Sequence, residues 1–214
     1  MKRIVCLLTL LVSSLSLVAQ TPQEIVAKMA EAMEAHEADG VYMIVDVRVP
    51  IIGTISSKTW MRDNCTRLEA KMLGVKMITW EDGETEWTYN AKKNTVEIKT
   101  LLRPAADSTA TSSSGSDADL AMFNGIDENY EIEIQKETDE AWYLNCKRRK
   151  EIKDDDTPKN INLVVAKGTF LPVSLRAKSS GVSITMRDIV FGVPVSQVTF
   201  NPADYPTATI IDKR

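Results

Sequence analysis

The sequence has 214 residues and a formal net charge of −4. This length suits one domain with a full hydrophobic core, and the acidic balance argues against a nucleic-acid partner. Catalysis is not expected either, because no nucleophilic triad can be built around the single histidine, His36.

Residues 1–19 have the layout of a cleaved secretory signal. Lys2 and Arg3 precede an apolar run, which is followed by Ser-rich residues and then Leu17, Val18 and Ala19. Cys6 comes too early to be the lipid-bearing cysteine of a lipoprotein, which lies at the cleavage point. We therefore expect a chain cleaved near Ala19, unanchored in the periplasm, with residues 20–214 forming a single domain and at most transient membrane contact.

A helix is predicted directly after the signal. Thr21 at the N-cap and Glu24 three residues later form a capping box, with Pro22 at the first helical position. Gly40 marks the expected end. The apolar stripe of this helix consists of Ile25, Met29, Met33 and His36, with Val26 and Ala30 beside it.

From Val41 onward the apolar period changes from that of a helix to that of a strand. Val41, Met43, Val45 and Val47 alternate with polar or outward residues, which predicts a strand over a core. About ten further short segments with polar turns between them predict one large, curled antiparallel sheet. They are residues 57–62, 75–80, 85–89, 96–102, 130–135, 142–148, 161–166, 173–177, 182–187 and 197–200.

The most informative hairpin begins at Asp82 and Gly83. Asp-Gly supplies the positive φ that a tight hairpin turn needs. Thr85, Trp87 and Tyr89 then share one face of the following strand.

The segment from Arg103 to Gly125 interrupts the strands. Its first half is rich in Ser, Thr, Ala and Asp and predicts a loop. Its second half, with Leu120, Met122 and Phe123, predicts a short helix. The segment is either a flap over the sheet or a surface linker between two strands.

Two cysteines remain after the signal, Cys65 and Cys146. An oxidising compartment permits a disulfide between them, but the period-two pattern with Trp142 and Leu144 favours Cys146 as a small core residue. Their spacing fits no zinc site, and residues 154–156 lack the alternating oxygen ligands of a calcium loop. We expect no metal and no cofactor.

The chain resembles the outer-membrane lipoprotein carriers of the LolA type, in the LolA/LolB superfamily. The similar pieces are the first helix, the strand from Lys58 to Arg62, the Asp82–Gly83 hairpin and the ending from Phe200 to Arg214, with Pro202 and Asp212 at family positions. These pieces span nearly the whole mature chain in order. The resemblance implies an α+β fold, in which a strongly bent antiparallel sheet of about ten to eleven strands forms an incomplete barrel covered by the N-terminal helix and a short lid helix.

The resemblance also implies a function without catalysis. Such carriers take lipoproteins from an inner-membrane ATP-driven release complex, shelter the acyl chains in an apolar cavity and pass them to an outer-membrane acceptor. The implied cavity residues are Ile25, Met29, Met33, Val41, Met43, Val45, Val47, Met61, Trp87, Tyr89, Leu120 and Phe123. Methionines suit a surface that must repack around different contents.

One departure from the family concerns the lid latch. Many members have Arg-Pro-Asn where this chain has Arg62, Asp63 and Asn64, so Asp63 stands at the position of the latching arginine. Arg62 is the candidate to replace it. The cargo also stays open between lipoproteins and another lipid or glycolipid, as does a sensor role like that of RseB-type lipid-binding domains.

Overall fold

The computed structural model describes residues 20–101, 123, 125–153, 157–179 and 181–214. The predicted signal peptide, the loop and lid helix with Leu120, and residues 154–156 lie outside this part of the chain. The described helices are α1 (Pro22–Ala35), α2 (Ile126–Asn129) and α3 (Val195–Val198). No helix in these residues is long and apolar enough to cross a bilayer.

Helix α1 begins at the predicted capping box. The Glu24 N–H donates to Thr21 Oγ1 at 3.2 Å, and the Thr21 N–H donates to Glu24 Oε2 at 3.0 Å. The helix ends at Ala35, and a 3₁₀ turn leads to Gly40 at φ 73°. A Cβ at Gly40 would lie 2.7 Å from the carbonyl oxygen of Met61, so both the backbone angle and the space require glycine.

Twelve strands follow in the described residues. They are β1 (Val41–Val49), β2 (Gly53–Arg62), β3 (Cys65–Met72), β4 (Val75–Glu81), β5 (Thr85–Asn90), β6 (Thr95–Thr100), β7 (Tyr130–Glu137), β8 (Ala141–Arg148), β9 (Asn160–Ala166), β10 (Pro172–Ser179), β11 (Val182–Phe191) and β12 (Thr209–Asp212). They form one sheet in the order β12-β6-β5-β4-β3-β2-β1-β11-β10-β9-β8-β7.

The predicted fold class is confirmed. The sheet is open, with β7 and β12 as its described edges, and its neighbouring strands are antiparallel except for the parallel pair of β12 and β6. Strand β1 joins the two halves by pairing with both β2 and β11. The twelve strands exceed the predicted ten to eleven.

Three segments differ from the sequence prediction. Strand β3 was not predicted, because its Arg, Glu, Ala and Lys are weak strand formers and hide the alternation. Residues 197–200 were predicted as a strand, but residues 197 and 198 form the end of the short helix α3 and residues 199 and 200 follow it. Strand β12 was also missed; it has four residues and depends on its parallel pairing with β6.

The two faces of the sheet carry different layers. We call the face of Val41, Met43 and Val45 the inner face, and the face of Tyr42 and Ile44 the outer face. The inner face and α1 share the main hydrophobic core, which extends across β7 to β11 through side chains such as Ile132, Leu144, Leu163, Leu175 and Met186. On the outer face lies the C-terminal segment, residues 193–214. Its helix α3 packs on β2 and β3, and its aromatic side chains after α3 cover β4 and β5.

Candidate functional site

The structure brings most of the predicted cavity residues together on the inner face. Val41, Met43 and Val45 on β1 and Met61 on β2 are each at most 5% exposed. The others in this group are Ile25 and Met29 on α1, which are fully buried, and Phe123, which is 3% exposed. Met33 and Val47 pack against the margin of the same core.

Trp87 and Tyr89 do not belong to this group. Strand pairing sets Trp87 opposite Trp80 and Tyr89 opposite Ile78, all on the outer face. The expectation that they line the same site as Met43 is therefore wrong. The alternation of the hairpin showed that the two aromatics share a face, but only the register across β2, β3 and β4 decides which face that is.

The outer-face aromatics form a separate cluster under the C-terminal segment. Trp87 stacks on Phe200 at 5.7 Å between ring centroids, and Tyr89 contacts Tyr205 at 4.6 Å. Trp80 meets both Phe200 and Tyr205 edge to face. Burial raises the pKa of Tyr205. The ending that carried the family resemblance thus packs on the sheet opposite to α1.

Arg62, the candidate lid latch, also lies on the outer face. Its guanidinium donates to the carbonyl oxygen of Val193 at 2.7 Å and lies 3.8 Å from Asp63. It therefore holds the start of the C-terminal segment, on the face opposite to α1. The lid helix predicted as its partner lies outside the described residues.

The two cysteines are free and face opposite sides of the sheet. Cys146 on β8 lies in the inner-face core, where burial raises the pKa of its thiol to about 12. Cys65 on β3 is on the outer face, and five strands separate β3 from β8. The disulfide is not formed, and the prediction of Cys146 as a core residue is the correct alternative.

Helix α1 is held on the inner face almost entirely by apolar packing. Ile25, Val26 and Met29 are its buried side chains, and they pack towards α2 and β7. Within the described part of the chain, its side chains form no hydrogen bond or ion pair with a strand. Lys28 adds a cation–π contact, 5.0 Å from the ring centroid of Phe170 in the turn between β9 and β10. Apolar packing is non-directional, so this interface can separate and repack without breaking specific polar contacts.

The inner face continues beyond β2 as a partly exposed surface. Leu68 and Ala70 on β3, Met77 on β4 and Thr88 on β5 are neither buried nor fully exposed. We therefore divide the inner face into two parts. The packed part lies under α1, and the open part is the accessible surface on β3 to β6.

Acidic side chains occupy the far end of the open part. Glu81 on β4 and Glu86 on β5 lie directly opposite each other. Burial raises the pKa of Glu81, and the neighbouring Glu86 charge raises it further. Lys99 lies 3.8 Å from Glu86 and partly compensates the repulsion. An apolar ligand on the open part would therefore lie towards Leu68 and Met77, away from this pair.

Several inner-face residues were missed by reasoning from the sequence. Thr59 is 1% exposed, lies opposite Met43, and its hydroxyl has no hydrogen-bond partner among the described residues. Leu163, Leu175 and Met186 complete the packed part on β9, β10 and β11. Their period-two patterns were visible, but a pattern alone does not say which strands face α1.

Two open clefts lie away from the candidate residues. One, of about 400 Å³, is formed by His36 and Asp39 with apolar side chains of β10 and β11. The other, of about 390 Å³, lies mainly on the outer face between Lys58, Lys71 and Arg187. Among the described residues, no group of three or more acidic, His or Cys side chains could hold a metal ion.

Comparison with solved structures identifies the fold. The Mycobacterium tuberculosis lipoprotein LppX aligns over 82% of this chain and 98% of its own, at 12% identity and a TM-score of 0.53. The bent, open antiparallel fold predicted from the sequence is confirmed. A LolA superfamily protein from Nitrosomonas europaea is also similar, at 13% identity and a TM-score of 0.33 over 85% of this chain and 99% of its own.

A third similar protein is known in complex with a partner. MucB of the Pseudomonas aeruginosa MucA/MucB complex aligns over 84% of this chain and 61% of its own, at 13% identity and a TM-score of 0.44. No protein-family model and no curated protein sequence matches the chain. At these identities the comparisons establish a shared fold and leave the ligand to be argued from the inner face.

Proposed function

We propose that this protein is a periplasmic lipoprotein carrier that shelters acyl chains between α1 and the inner face of the sheet. The observation that carries the proposal is that α1 is attached to the sheet by apolar packing, whereas the C-terminal segment on the opposite face is also held by polar contacts such as that of Arg62 with Val193. The buried face of α1 consists of Ile25, Val26 and Met29, and no described hydrogen bond joins it to a strand. The proposal assigns the chain no reaction of its own.

The energies of opening and binding are of similar size. Lifting α1 exposes three buried apolar side chains, each worth about 1.5–3 kcal/mol. An acyl chain of a dozen methylenes recovers about 10 kcal/mol when it is buried. Because the two values are comparable, α1 and an acyl chain can exchange on the inner face, which is the condition for reversible carriage.

The composition of the interface supports exchange of this kind. Met29 on α1 faces a sheet that contributes Met43, Met61 and Met186 to the same core. Methionine is unbranched and flexible, so it fills space in more than one arrangement. The partly exposed Leu68 and Met77 give an acyl chain an apolar surface to enter along before α1 is displaced.

The predicted export signal and the resemblance to LolA-type carriers support a transport route. We infer that the chain receives lipoproteins from an ATP-driven release complex of the inner membrane and delivers them to an outer-membrane acceptor. LppX is itself described as a lipoprotein, and MucB as the partner of MucA. The second candidate cargo is a different lipid or glycolipid, carried or sensed by the same face.

Site-specific photo-crosslinking in the periplasm tests the proposal. A photoreactive residue in place of Leu68 or Met77 on the open part should capture an acylated ligand. The matched control is Lys58, which lies on the outer face of β2 and should capture none.

Mass spectrometry of the captured species then decides between the cargoes. Recovery of acylated proteins from both inner-face positions supports a lipoprotein carrier. Recovery of a free lipid or glycolipid would indicate that the second candidate, and not a lipoprotein, is the cargo. Equal capture from both faces, or none from the inner face, would count against an acyl-binding role altogether.

A further inference from the structure

Four hairpin turns lie side by side along one edge of the sheet. They connect β10 to β11, β1 to β2, β3 to β4 and β5 to β6, and these eight strands are consecutive in the sheet. The first two are in contact, since a Cβ on Gly181 would lie 3.6 Å from Cγ of Pro50. We call this row the hairpin edge.

Large apolar side chains project from the two central turns of the hairpin edge. Ile51 and Leu73 are fully exposed, and their neighbours Ile52 and Met72 are 72% and 62% exposed. Isolated exposed apolar residues are common on proteins, but four at two adjacent turn tips form a concentrated apolar feature.

The backbone conformation at these two turn tips disfavours the apolar residues that occupy them. Ile51 has φ 75° and Leu73 has φ 51°, both in the left-handed region. A β-branched or bulky residue is costly there, and glycine or asparagine is the usual occupant of such a turn. Neither side chain is buried, so folding gains nothing from Ile51 or Leu73 that would offset this cost. Their apolar character therefore serves a contact outside the chain.

The charge of the hairpin edge indicates what that contact is. Within residues 47–56, 70–77, 90–96 and 176–184 there are seven basic residues and no acidic one, although the whole chain has a net charge of −4. The basic residues are Arg48, Lys71, Lys76, Lys92, Lys93, Arg176 and Lys178. Of these, Lys76 pairs with Glu69 at 3.1 Å. The connection between β8 and β9 reaches the same side beyond β10 and carries both signs of charge.

The opposite edge of the sheet has the reverse charge. Its turns carry Glu37 and Asp39 before β1, Asp82 and Glu84 between β4 and β5, and two acidic residues, Asp139 and Glu140, between β7 and β8. The turn between β9 and β10 carries Lys167, which pairs with Glu137 at 2.6 Å. The molecule is thus polarised along its strands, with apolar tips only at the basic edge among the turns named here. Exposed apolar side chains flanked by lysine and arginine fit a bilayer interface with anionic headgroups.

We propose that the hairpin edge docks the protein on an anionic phospholipid bilayer, with Ile51, Ile52, Met72 and Leu73 inserted among the headgroups. Lys71, Lys92 and Lys93 then lie at the depth of the lipid phosphates. In this orientation the strands stand upright on the membrane and the acidic edge points away from it. The docking concerns the protein surface alone and does not depend on what the inner face carries.

Flotation with cargo-free vesicles tests the docking. The protein purified from the cell envelope is mixed with vesicles of equal phosphatidylglycerol and phosphatidylcholine, or of phosphatidylcholine alone. We expect at least tenfold stronger binding to the anionic vesicles at low salt, falling steeply as salt screens the charges. Equal binding to both compositions, or none to either, would overturn the proposal.

The double variant Ile51→Asn and Leu73→Asn separates docking from folding. Asparagine tolerates the left-handed backbone, so the thermal unfolding midpoint should stay equal or rise. Vesicle binding should nevertheless fall at least about tenfold. The matched control is Val195→Asn, which changes a 54% exposed residue on the C-terminal segment and should leave binding unchanged.

A second double variant tests the charges. Lys92→Gln with Lys93→Gln should lower binding to anionic vesicles about tenfold or more, with no effect on phosphatidylcholine. Undiminished binding by both double variants would overturn the proposal. Because these vesicles contain no cargo, that result would leave the carrier function untouched.

Discussion

The two apolar layers of this sheet are covered in different ways. On the inner face, α1 packs against α2 and β7 in an apolar core, and the cation–π contact of Lys28 with Phe170 lies at its border. On the outer face, residues 193–214 are fastened by stacked aromatics, strand pairing with β6 and polar contacts. The Nδ2 of Asn94 donates to the carbonyl oxygen of Thr207 at 2.8 Å, and Lys213 pairs with Glu97 at 2.7 Å.

The difference indicates that the C-terminal segment is attached to the sheet more firmly than α1. Stacked rings and hydrogen bonds require one relative position, so the C-terminal segment leaves its face only at the cost of many directed contacts. Apolar packing tolerates several arrangements of similar energy, particularly where methionine is abundant. Under the proposed function the inner face is the face that opens, and the outer cluster keeps β4, β5 and β6 in place while it does.

Trp80→Ala should have the largest effect on this contrast. Trp80 is 4% exposed and contacts both Phe200 and Tyr205, so its loss should lower the free energy of unfolding by about 3–5 kcal/mol. Amide hydrogen exchange of β12 should accelerate with it. The control is Tyr42→Ala on the same face, which removes a contact with Trp60 and should leave β12 protected. Equal acceleration in both variants would show that the C-terminal segment does not depend on the cluster.

Ile25→Ala should come next and should act on α1 alone. Removing this fully buried side chain should cost about 2–4 kcal/mol for docking of the helix. Amide exchange should rise throughout α1 while β12 keeps its protection. Met33→Ala, at the margin of the core, is the control with a smaller loss. If exchange in β12 rose as much as in α1, the two covers would be one cooperative unit and the comparison would fail.

Glu81→Gln should have the smallest effect and should depend on pH. The pKa of Glu81 is raised in the folded protein, so its ionisation costs stability, and that cost appears as the pH rises through the folded pKa. The variant should be more stable than the parent at pH 7 by about 0.5 kcal/mol, as expected for opposed like charges on neighbouring strands. The gain should vanish below the unfolded pKa of glutamate, near 4.3. Denaturant unfolding at both pH values measures it, and a gain independent of pH would assign the effect to something other than ionisation.

Local patterns predicted the elements where one physical rule dominates. The capping box at Thr21 and Glu24 fixed the start of α1, and the strict alternation from Val41 predicted β1 and its buried face. The turn at Asp82 formed as predicted, with its carboxylate accepting from the Glu84 and Thr85 N–H groups. Strand β3 was missed because its charged side chains are stabilised across the sheet, as in the pair of Lys76 with Glu69, and not by local propensity.

The sequence by itself determined the helix, most of the strands, the fold class of a bent, open antiparallel sheet and an apolar stripe on α1 that needs a partner. Only the tertiary structure decided which face of the sheet each aromatic occupies, that Cys65 and Cys146 face opposite sides, and that four basic turns share one edge. The physical reason is that alternation along a strand depends on neighbours two residues apart. The face of the sheet on which a side chain lies depends on the pairing register of every strand between its own strand and β1. No local segment of sequence contains that information.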